Sequence, residues 1–206
     1  MINISNRLRQ WQATTLDALV QKHMGLPLAK RAEFFVSLFE EYFSPESSIL
    51  DIGGRWGFYK EPLKSRGHHL TIIDVVKPRY QRAPVIVYDG VKIPFEDESF
   101  DCALLITVLH HIPDVISVIR EARRVVRKKI IVVEDLYHHS LGRIWTEWRD
   151  RLYNFEYFGH PCNFKTAEQW SALFGKEGFR TQKLIQKYTW LAGMRILNGV
   201  FVFEKE

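Results

Sequence analysis

Residues 48–57 read SILDIGGRWG and place an apolar run directly before a cluster of glycines. The residues Ile49, Leu50 and Ile52 are typical of a short buried strand. Glycines at the end of a strand let the backbone adopt positive φ and come close to a ligand. A structural tight turn also needs glycine, so this stretch alone leaves both interpretations open.

The sequence on either side alternates between strand and helix patterns. Apolar strands at 70–74 and 85–89 each end in an aspartate, and further strands begin at Phe100 and at Ile130. The clearest helix spans 114–129. This alternation predicts an α/β fold with a mostly parallel sheet and helices on both faces. Two last strands, 180–187 and 200–204, have no clear helix between them, which predicts an antiparallel hairpin at the sheet edge.

The 206 residues are expected to form one domain with two helical additions. Residues 1–46 predict an N-terminal helical cap of two helices, Ile4–Met24 and Leu28–Phe43, separated by Gly25 and Pro27. Residues 136–164 predict a helical lid inserted after the fifth strand.

Composition excludes several classes of protein. The chain is 46% hydrophobic and 26% charged, which is globular and not disordered. Two cysteines cannot form a disulfide framework, so a reducing, cytoplasmic setting is expected. No apolar run approaches the roughly 18 residues of a membrane span. The net charge of +5 permits an acidic partner without requiring one.

Residues that could bind a ligand follow each of three successive strands. Ligands of such sheets bind at the carboxyl ends of the strands. Asp74, after the second strand, can bind the two hydroxyls of a ribose, and Asp89, after the third, can accept a hydrogen bond from an exocyclic amine. Each aspartate alone fits a helix cap or a turn equally well. Their order and spacing after the glycine cluster favour a nucleoside-binding site.

These motifs resemble those of class I S-adenosylmethionine-dependent methyltransferases, in particular the small type 11 group that acts on small molecules. The segments that resemble the family's motifs are 49–57, 70–74, 88–95 with 99–101, 108–114 and, more weakly, 164–179. The resemblance implies a Rossmann-like sheet and S-adenosylmethionine as the methyl donor, with S-adenosylhomocysteine as product.

The resemblance also implies roles for individual residues. Asp51 would lie near the methionine amino group, Asp74 would bind the ribose, and Asp89 with Gly90 would hold the adenine. The full set expected to bind the cofactor is Asp51, Gly53, Gly54, Arg55, Gly57, Asp74, Val75, Asp89, Gly90, Thr107 and Val108.

One residue departs from the family pattern. Arg55 stands where the family has its central glycine. Its side chain could crowd the cofactor, or its guanidinium could pair with the methionine carboxylate. A third alternative is that binding is lost and the chain is a non-catalytic protein of the same fold.

His110 and His111 follow the fourth strand and are the candidate general bases, because imidazole titrates near neutrality. A structural role is the alternative for at least one of them. Glu134 and Asp135, at the end of the fifth strand, could line the pocket or cap the turn. No recognised spacing of metal ligands occurs, so no metal is expected.

The aromatic segment after the fifth strand is interpreted as a lid over a hydrophobic or aromatic acceptor. Its candidate lid residues are Tyr137, Trp145 and Trp148, and Leu141, Trp145, Trp148 and Leu152 recur at helical spacing. The alternative is a helix that packs these side chains on the body of the domain.

The predicted function is methyl transfer to the oxygen, nitrogen or carbon of a small molecule. An RNA methyltransferase is the alternative suggested by Arg120, Arg123, Arg124 and Arg127, which share one face of the predicted helix. A solvated face explains these arginines as well, and a crossover helix lies on the flank of the sheet, away from the strand ends. A nucleic-acid partner is therefore not expected.

Overall fold

The structure is a computed structural model that describes residues 14–154 and 161–206. Its strands are β1 (Ser48–Ile52), β2 (His69–Asp74), β3 (Ile86–Val87), β4 (Phe100–Ile106), β5 (Val126–Asp135), β6 (Phe179–Leu191) and β7 (Met194–Lys205). Its helices are α1 (Gly25–Phe39), α2 (Lys60–Lys64), α3 (Val115–Val125), α4 (Ser140–Asn154) and α5 (Ala167–Lys176), with a π-helical turn at Val20–Met24 and 3-10 turns at Glu40–Tyr42 and Leu109–His111.

In the described part of the chain, the strands form one sheet in the order β3-β2-β1-β4-β5-β7-β6. The pairs from β3 to β5 are parallel, and β7 is antiparallel to both β5 and β6. The predicted α/β fold with an antiparallel C-terminal hairpin is confirmed. Because β7 lies between β5 and β6, it is β6 that forms the edge.

Both faces of the sheet are covered, so its central strands are buried throughout. Val200, Phe201, Val202 and Phe203 of β7 are all fully buried, as are Ile130–Val133 of β5. Helix α5 begins with the capping box of Thr166 and Gln169 and packs Phe174 against Phe203, with ring centroids 4.0 Å apart. Burial on both faces explains why these strands are continuously apolar in sequence.

The predicted break between two N-terminal helices is wrong. Residues 14–19 are helical and continue through the π-helical turn into α1, with Gly25 and Pro27 inside the helix. Pro27 has no N–H to donate within this continuous helix, and it follows shortly after the π-helical turn, where the regular α-helical hydrogen-bond pattern is already interrupted. The part of the predicted first helix before residue 14 lies outside the described residues.

The boundary between α3 and β5 also differs from the expectation. Helix α3 ends at Val125 and β5 begins at Val126, so Arg127 lies in a strand and not on the helix face. No glycine or proline separates the two elements in sequence, which is why the pattern predicted one longer helix. The apolar face of α3 is as predicted, with Val115, Val118, Ile119 and Ala122 buried.

Candidate functional site

A cavity of about 440 Å³ lies at the carboxyl ends of β1, β2, β4 and β5. The N-terminal helical residues, α1, α4 and the β6–β7 hairpin contribute the rest of its wall. Its volume is within the range of small-molecule pockets, roughly 300–1,000 Å³. Of the residues expected to bind the cofactor, the wall includes Asp51, Gly53, Gly54, Arg55, Asp74, Val75, Thr107 and Val108.

The glycine loop after β1 is shaped by close packing against its neighbours. Gly53 has a φ of 78°, its N–H donates to the carbonyl of Ile73, and a Cβ there would overlap the Val108 side chain. A Cβ at Gly54 would overlap the carboxylate of Asp51. The two glycines therefore let the loop lie directly on the residues after β4 and on Asp51.

The Asp51 carboxylate is buried without a full set of hydrogen-bond donors. Its Oδ2 makes no hydrogen bond within the described residues. Burial, with the neighbouring charge of Asp74, raises the pKa of Asp51 to about 7. A buried, unpartnered carboxylate oxygen in a cavity fits a ligand that carries a cationic group, such as the ammonium of S-adenosylmethionine.

Asp74 ends β2 beside the glycine loop. Its carboxylate accepts hydrogen bonds from the backbone N–H of Arg55 at 3.1 Å and of Val76 at 3.0 Å. Burial raises the pKa of Asp74, although these backbone donors oppose the effect. Two backbone bonds leave further lone pairs of the carboxylate available to a ligand.

Asp89, Gly90 and Gly57 are absent from the wall of the cavity. Asp89 is solvent-exposed, and its carboxylate accepts hydrogen bonds from the backbone N–H of Lys92 and Val91, which lower its pKa. This is the turn-capping arrangement that the sequence left open. Tyr88, which the sequence analysis did not select, lines the cavity instead.

Arg55 contacts the N-terminal helical segment, which comprises residues 14–24. Its guanidinium donates to Asp17 at 3.2 Å, and Asp17 also accepts hydrogen bonds from the Trp56 indole at 3.0 Å and the Arg79 backbone N–H at 2.8 Å. We call these four residues the Asp17 clasp. It ties the N-terminal helical segment to the glycine loop, an arrangement that none of the three sequence-based alternatives for Arg55 included.

His110 is held in a buried network of carboxylates. Its Nδ1 lies 2.5 Å from Glu134 Oε2 and its Nε2 lies 3.4 Å from Asp150 Oδ1. Burial alone would lower the pKa of His110, but Glu134 and Asp150 offset burial and raise that pKa well above its ordinary value. The two carboxylates therefore favour the protonated form of His110 and hold its ring in a fixed orientation.

Three side chains at this end of the cavity have the composition of a metal site. Ligand atoms of His110, His111 and Asp150 lie within 4.8 Å of one another. Glu134 also contacts His110, so this group of side chains offers two imidazoles and two carboxylates.

Helix α4 covers the cavity with its polar face. Asp150, Tyr153 and Asn154 line the wall, whereas Tyr137, Trp145 and Trp148 do not. The two tryptophans are exposed and stack on each other. The expectation that they enclose the acceptor differs from the structure, because buried ion pairs turn the other face of α4 inward. Residues 155–160 of the predicted lid lie outside the described residues.

A second polar network supports this wall. Arg149 of α4 pairs with Asp135, and Asp135 accepts a hydrogen bond from Asn198 at 2.6 Å. Arg31 of α1 donates to Thr189 at 2.6 Å and lies 3.9 Å from Asp135. Of this network, the sequence indicated only Asp135 as a pocket residue. Its partners come from distant elements and share no motif with it.

The strand order, with a glycine loop after β1 and an acid after β2, is the arrangement of the class I methyltransferase fold. Residues 50–133 match the model of a methyltransferase domain family, the type 11 group. Together with the relatives described below, this match shows a methyltransferase that uses S-adenosylmethionine as its cofactor.

Characterised and uncharacterised proteins are similar to the chain. An uncharacterized protein of Methanocaldococcus jannaschii is 28% identical over 149 residues, covering 69% of each chain. The demethylmenaquinone methyltransferase of Thermotoga maritima is 25% identical over 163 residues, covering 66% of this chain and 71% of that one. The crystal structure of an S-adenosylmethionine-dependent methyltransferase from Methanosarcina mazei has a TM-score of 0.63 at 20% identity, covering 82% of this chain and 96% of that one.

Proposed function

We propose that the protein methylates a small organic acceptor with an apolar body, bound in the same cavity as S-adenosylmethionine. The observation that carries this proposal is the composition of the cavity wall. The donor-side residues Asp51 and Asp74 share the cavity with apolar side chains from the N-terminal helical segment, α1 and the β6–β7 hairpin. That set is Leu16, Val20, Met24, Leu28, Leu191 and Ile196.

The donor side fits the cofactor by charge and by shape. Asp51 would hold the methionine ammonium and Asp74 the ribose hydroxyls, while Val75 and Tyr88 would contact the adenine. When bound, S-adenosylmethionine supplies a methyl group activated by its sulfonium. The protein therefore has mainly to align the acceptor and exclude water.

The acceptor side combines apolar walls with a few polar groups. His111 lines the cavity beside His110, with ring centroids 4.1 Å apart, and is the candidate base for an acceptor that enters protonated. Asp150 and Tyr153 are further groups in the wall that can orient a hydroxyl or an amine. The relative from Thermotoga maritima is named for a quinone acceptor, which supports an apolar, aromatic acceptor class.

RNA is a weaker candidate acceptor because two of the three arginines of α3, Arg120 and Arg124, are paired with carboxylates. Arg120 pairs with Glu177 at 2.7 Å, and Arg124 pairs with both Glu121 and Asp97 at 2.8 Å. None of these arginines lines the cavity. The RNA alternative predicts a free basic surface at the site, and α3 does not supply one.

Calorimetry with S-adenosylhomocysteine tests the donor side. Asp74→Ala should weaken binding by about 1.5–3 kcal/mol, the scale of a charge-assisted hydrogen bond. Asp89→Ala is the matched control and should bind like the parent, since Asp89 lies outside the cavity wall. Equal losses in both variants would contradict the assignment of the adenine side, and no binding by the parent would favour a non-catalytic protein.

Product formation tests the acceptor side. Release of S-adenosylhomocysteine is expected with apolar phenols or quinols and not with RNA. Turnover with RNA that falls steeply as salt rises would instead support phosphate-mediated binding and contradict the proposal.

A further inference from the structure

Helix α4 carries a continuous apolar stripe on its outer face. Its members recur at i, i+3, i+4, i+7 and i+11 and are all solvent-exposed: Leu141 (76%), Ile144 (63%), Trp145 (50%), Trp148 (54%) and Leu152 (37%). The two indoles stack with their ring centroids 5.3 Å apart. We call these five residues the α4 stripe. Residues at this spacing share one face of a helix.

The opposite face of α4 is polar and buried. Thr146, Arg149 and Asp150 are its buried residues, and the last two are held by Asp135 and His110. An ordinary surface helix turns its apolar face toward the core. Here ion pairs attach the helix to the domain, so the α4 stripe does not serve the packing of the core. A contiguous apolar patch of this kind marks an interaction surface.

We propose that the α4 stripe docks on the surface of an anionic phospholipid bilayer. Tryptophan and leucine on one helix face are typical of helices that lie in the bilayer interface. Arg151 follows Trp148 at i+3 and therefore borders the stripe, and the whole chain has a net charge of +5. The positive charge of Arg151 beside the stripe, and of the chain as a whole, complements anionic headgroups.

The position of the stripe connects this surface to the cavity. The inner face of α4 contributes Asp150, Tyr153 and Asn154 to the cavity wall. Docking would place the roof of the cavity against the lipid, which is where an apolar acceptor dissolves. This last step rests on the proposed function, whereas the docking itself does not. None of the helices in the described residues is long and apolar enough to span a bilayer, and docking through one face requires no span.

Vesicle flotation tests the proposal without any turnover. The parent should float with vesicles of phosphatidylcholine and phosphatidylglycerol, and less with phosphatidylcholine alone. The double variant Trp145→Ser and Trp148→Ser should lose about tenfold in partitioning, because it removes the largest apolar groups of the stripe. Val91→Ser is the control: Val91 is an exposed apolar residue (74%) that follows β3, at the opposite edge of the sheet from β6, so the partitioning of this variant should equal that of the parent.

Two further measurements separate the outcomes. S-adenosylhomocysteine affinity of the double variant should equal that of the parent, which shows that the fold and the donor site are intact. Flotation that is absent in the parent, or equal in the parent and the double variant, would overturn the proposal. So would a parent dimer that the double variant converts to a monomer, because the stripe would then be a protein interface. Absence of methyl transfer to any apolar acceptor would count against the proposed function and leave the flotation result standing.

Discussion

At the scale of one residue, the burial of Asp51 costs stability, and we propose that a bound ligand offsets this cost. Its carboxylate is buried, and its pKa is raised from 3.8 to about 7 by burial and by Asp74. Because the folded-state pKa lies above the unfolded one, ionisation costs stability as pH rises through this interval, and the cost is complete above the folded-state value. A cationic ligand group would reverse that cost. In the ligand-free protein the ionised form of Asp51 is therefore unfavourable, and a bound cationic group would stabilise it.

Asp51→Asn should raise the melting temperature of the ligand-free protein most at about pH 8, and by less as the pH falls toward about 4, where Asp51 becomes protonated in the unfolded state as well. S-adenosylhomocysteine affinity of the parent should increase between about pH 6 and pH 8, and the variant should lose that increase. Thermal unfolding and calorimetry across this range check both effects. Asp89→Asn is the control, because the lowered pKa of exposed Asp89 puts its titration below this range. A parent whose affinity is independent of pH would remove Asp51 from the ammonium site.

Thr107 shows strain at the same site. It is a β-branched residue with a φ of 48°, directly after β4 and in the cavity wall. Left-handed backbone is unfavourable for such a side chain and tends to occur at functional positions. The hydrogen bond from its N–H to the Val133 carbonyl at 2.7 Å helps to hold the strained conformation.

At the scale of the elements, the Asp17 clasp couples the N-terminal helical segment to the cofactor loop. Asp17→Ala would leave the Arg55 guanidinium, the Trp56 indole and the Arg79 N–H without their acceptor. We expect the free energy of unfolding to fall by about 1–3 kcal/mol. Hydrogen exchange should accelerate together in residues 14–24 and in the glycine loop at 53–57.

Asp114→Ala is the matched control for this coupling. Asp114 caps α3 through the Ser117 N–H, and its loss should cost about 1 kcal/mol. Exchange in residues 14–24 should then stay at the parent's rate. If Asp17→Ala accelerates exchange in the N-terminal segment alone, the two elements are not coupled.

Local signals in the sequence predicted the elements better than the contacts between them. The capping box at Thr166, the glycine turn after β1 and the acid at Asp74 are short-range features, and the structure places each of them as expected. Arg55 with Asp17 and His110 with Glu134 join residues far apart in the chain, and no periodicity indicates such pairs.

The orientation of helix α4 also depends on contacts that the sequence pattern does not indicate. The spacing of Leu141, Trp145, Trp148 and Leu152 correctly predicted a helix with one apolar face. The direction of that face depends on buried partners of Arg149 and Asp150 that lie elsewhere in the sequence. The hydrophobic pattern alone therefore pointed the wrong face toward the site.

At the scale of the whole molecule, stability is concentrated where β5, β7 and α5 meet. Phe203→Ala should lower the free energy of unfolding by about 3–5 kcal/mol, because Phe203 is fully buried and stacks on Phe174. Trp190→Ala on the neighbouring β6 removes a larger but exposed side chain and should change it by less than about 0.5 kcal/mol. Chemical denaturation of both variants checks the difference. A small effect at Phe203 would contradict the central position of β7.

The place of β7 between β5 and β6 also constrains the order of events during biosynthesis. A ribosome releases β5 and β6 before β7, so β5 can pair with β4, but neither β5 nor β6 can pair with β7 while β7 is still inside the exit tunnel. Until then, the apolar strand Ile130–Val133 of β5 presents an unpaired edge. Open edges of this kind recruit other chains. Translation speed over the codons of residues 179–205 should therefore influence how much of the nascent protein is lost to aggregation.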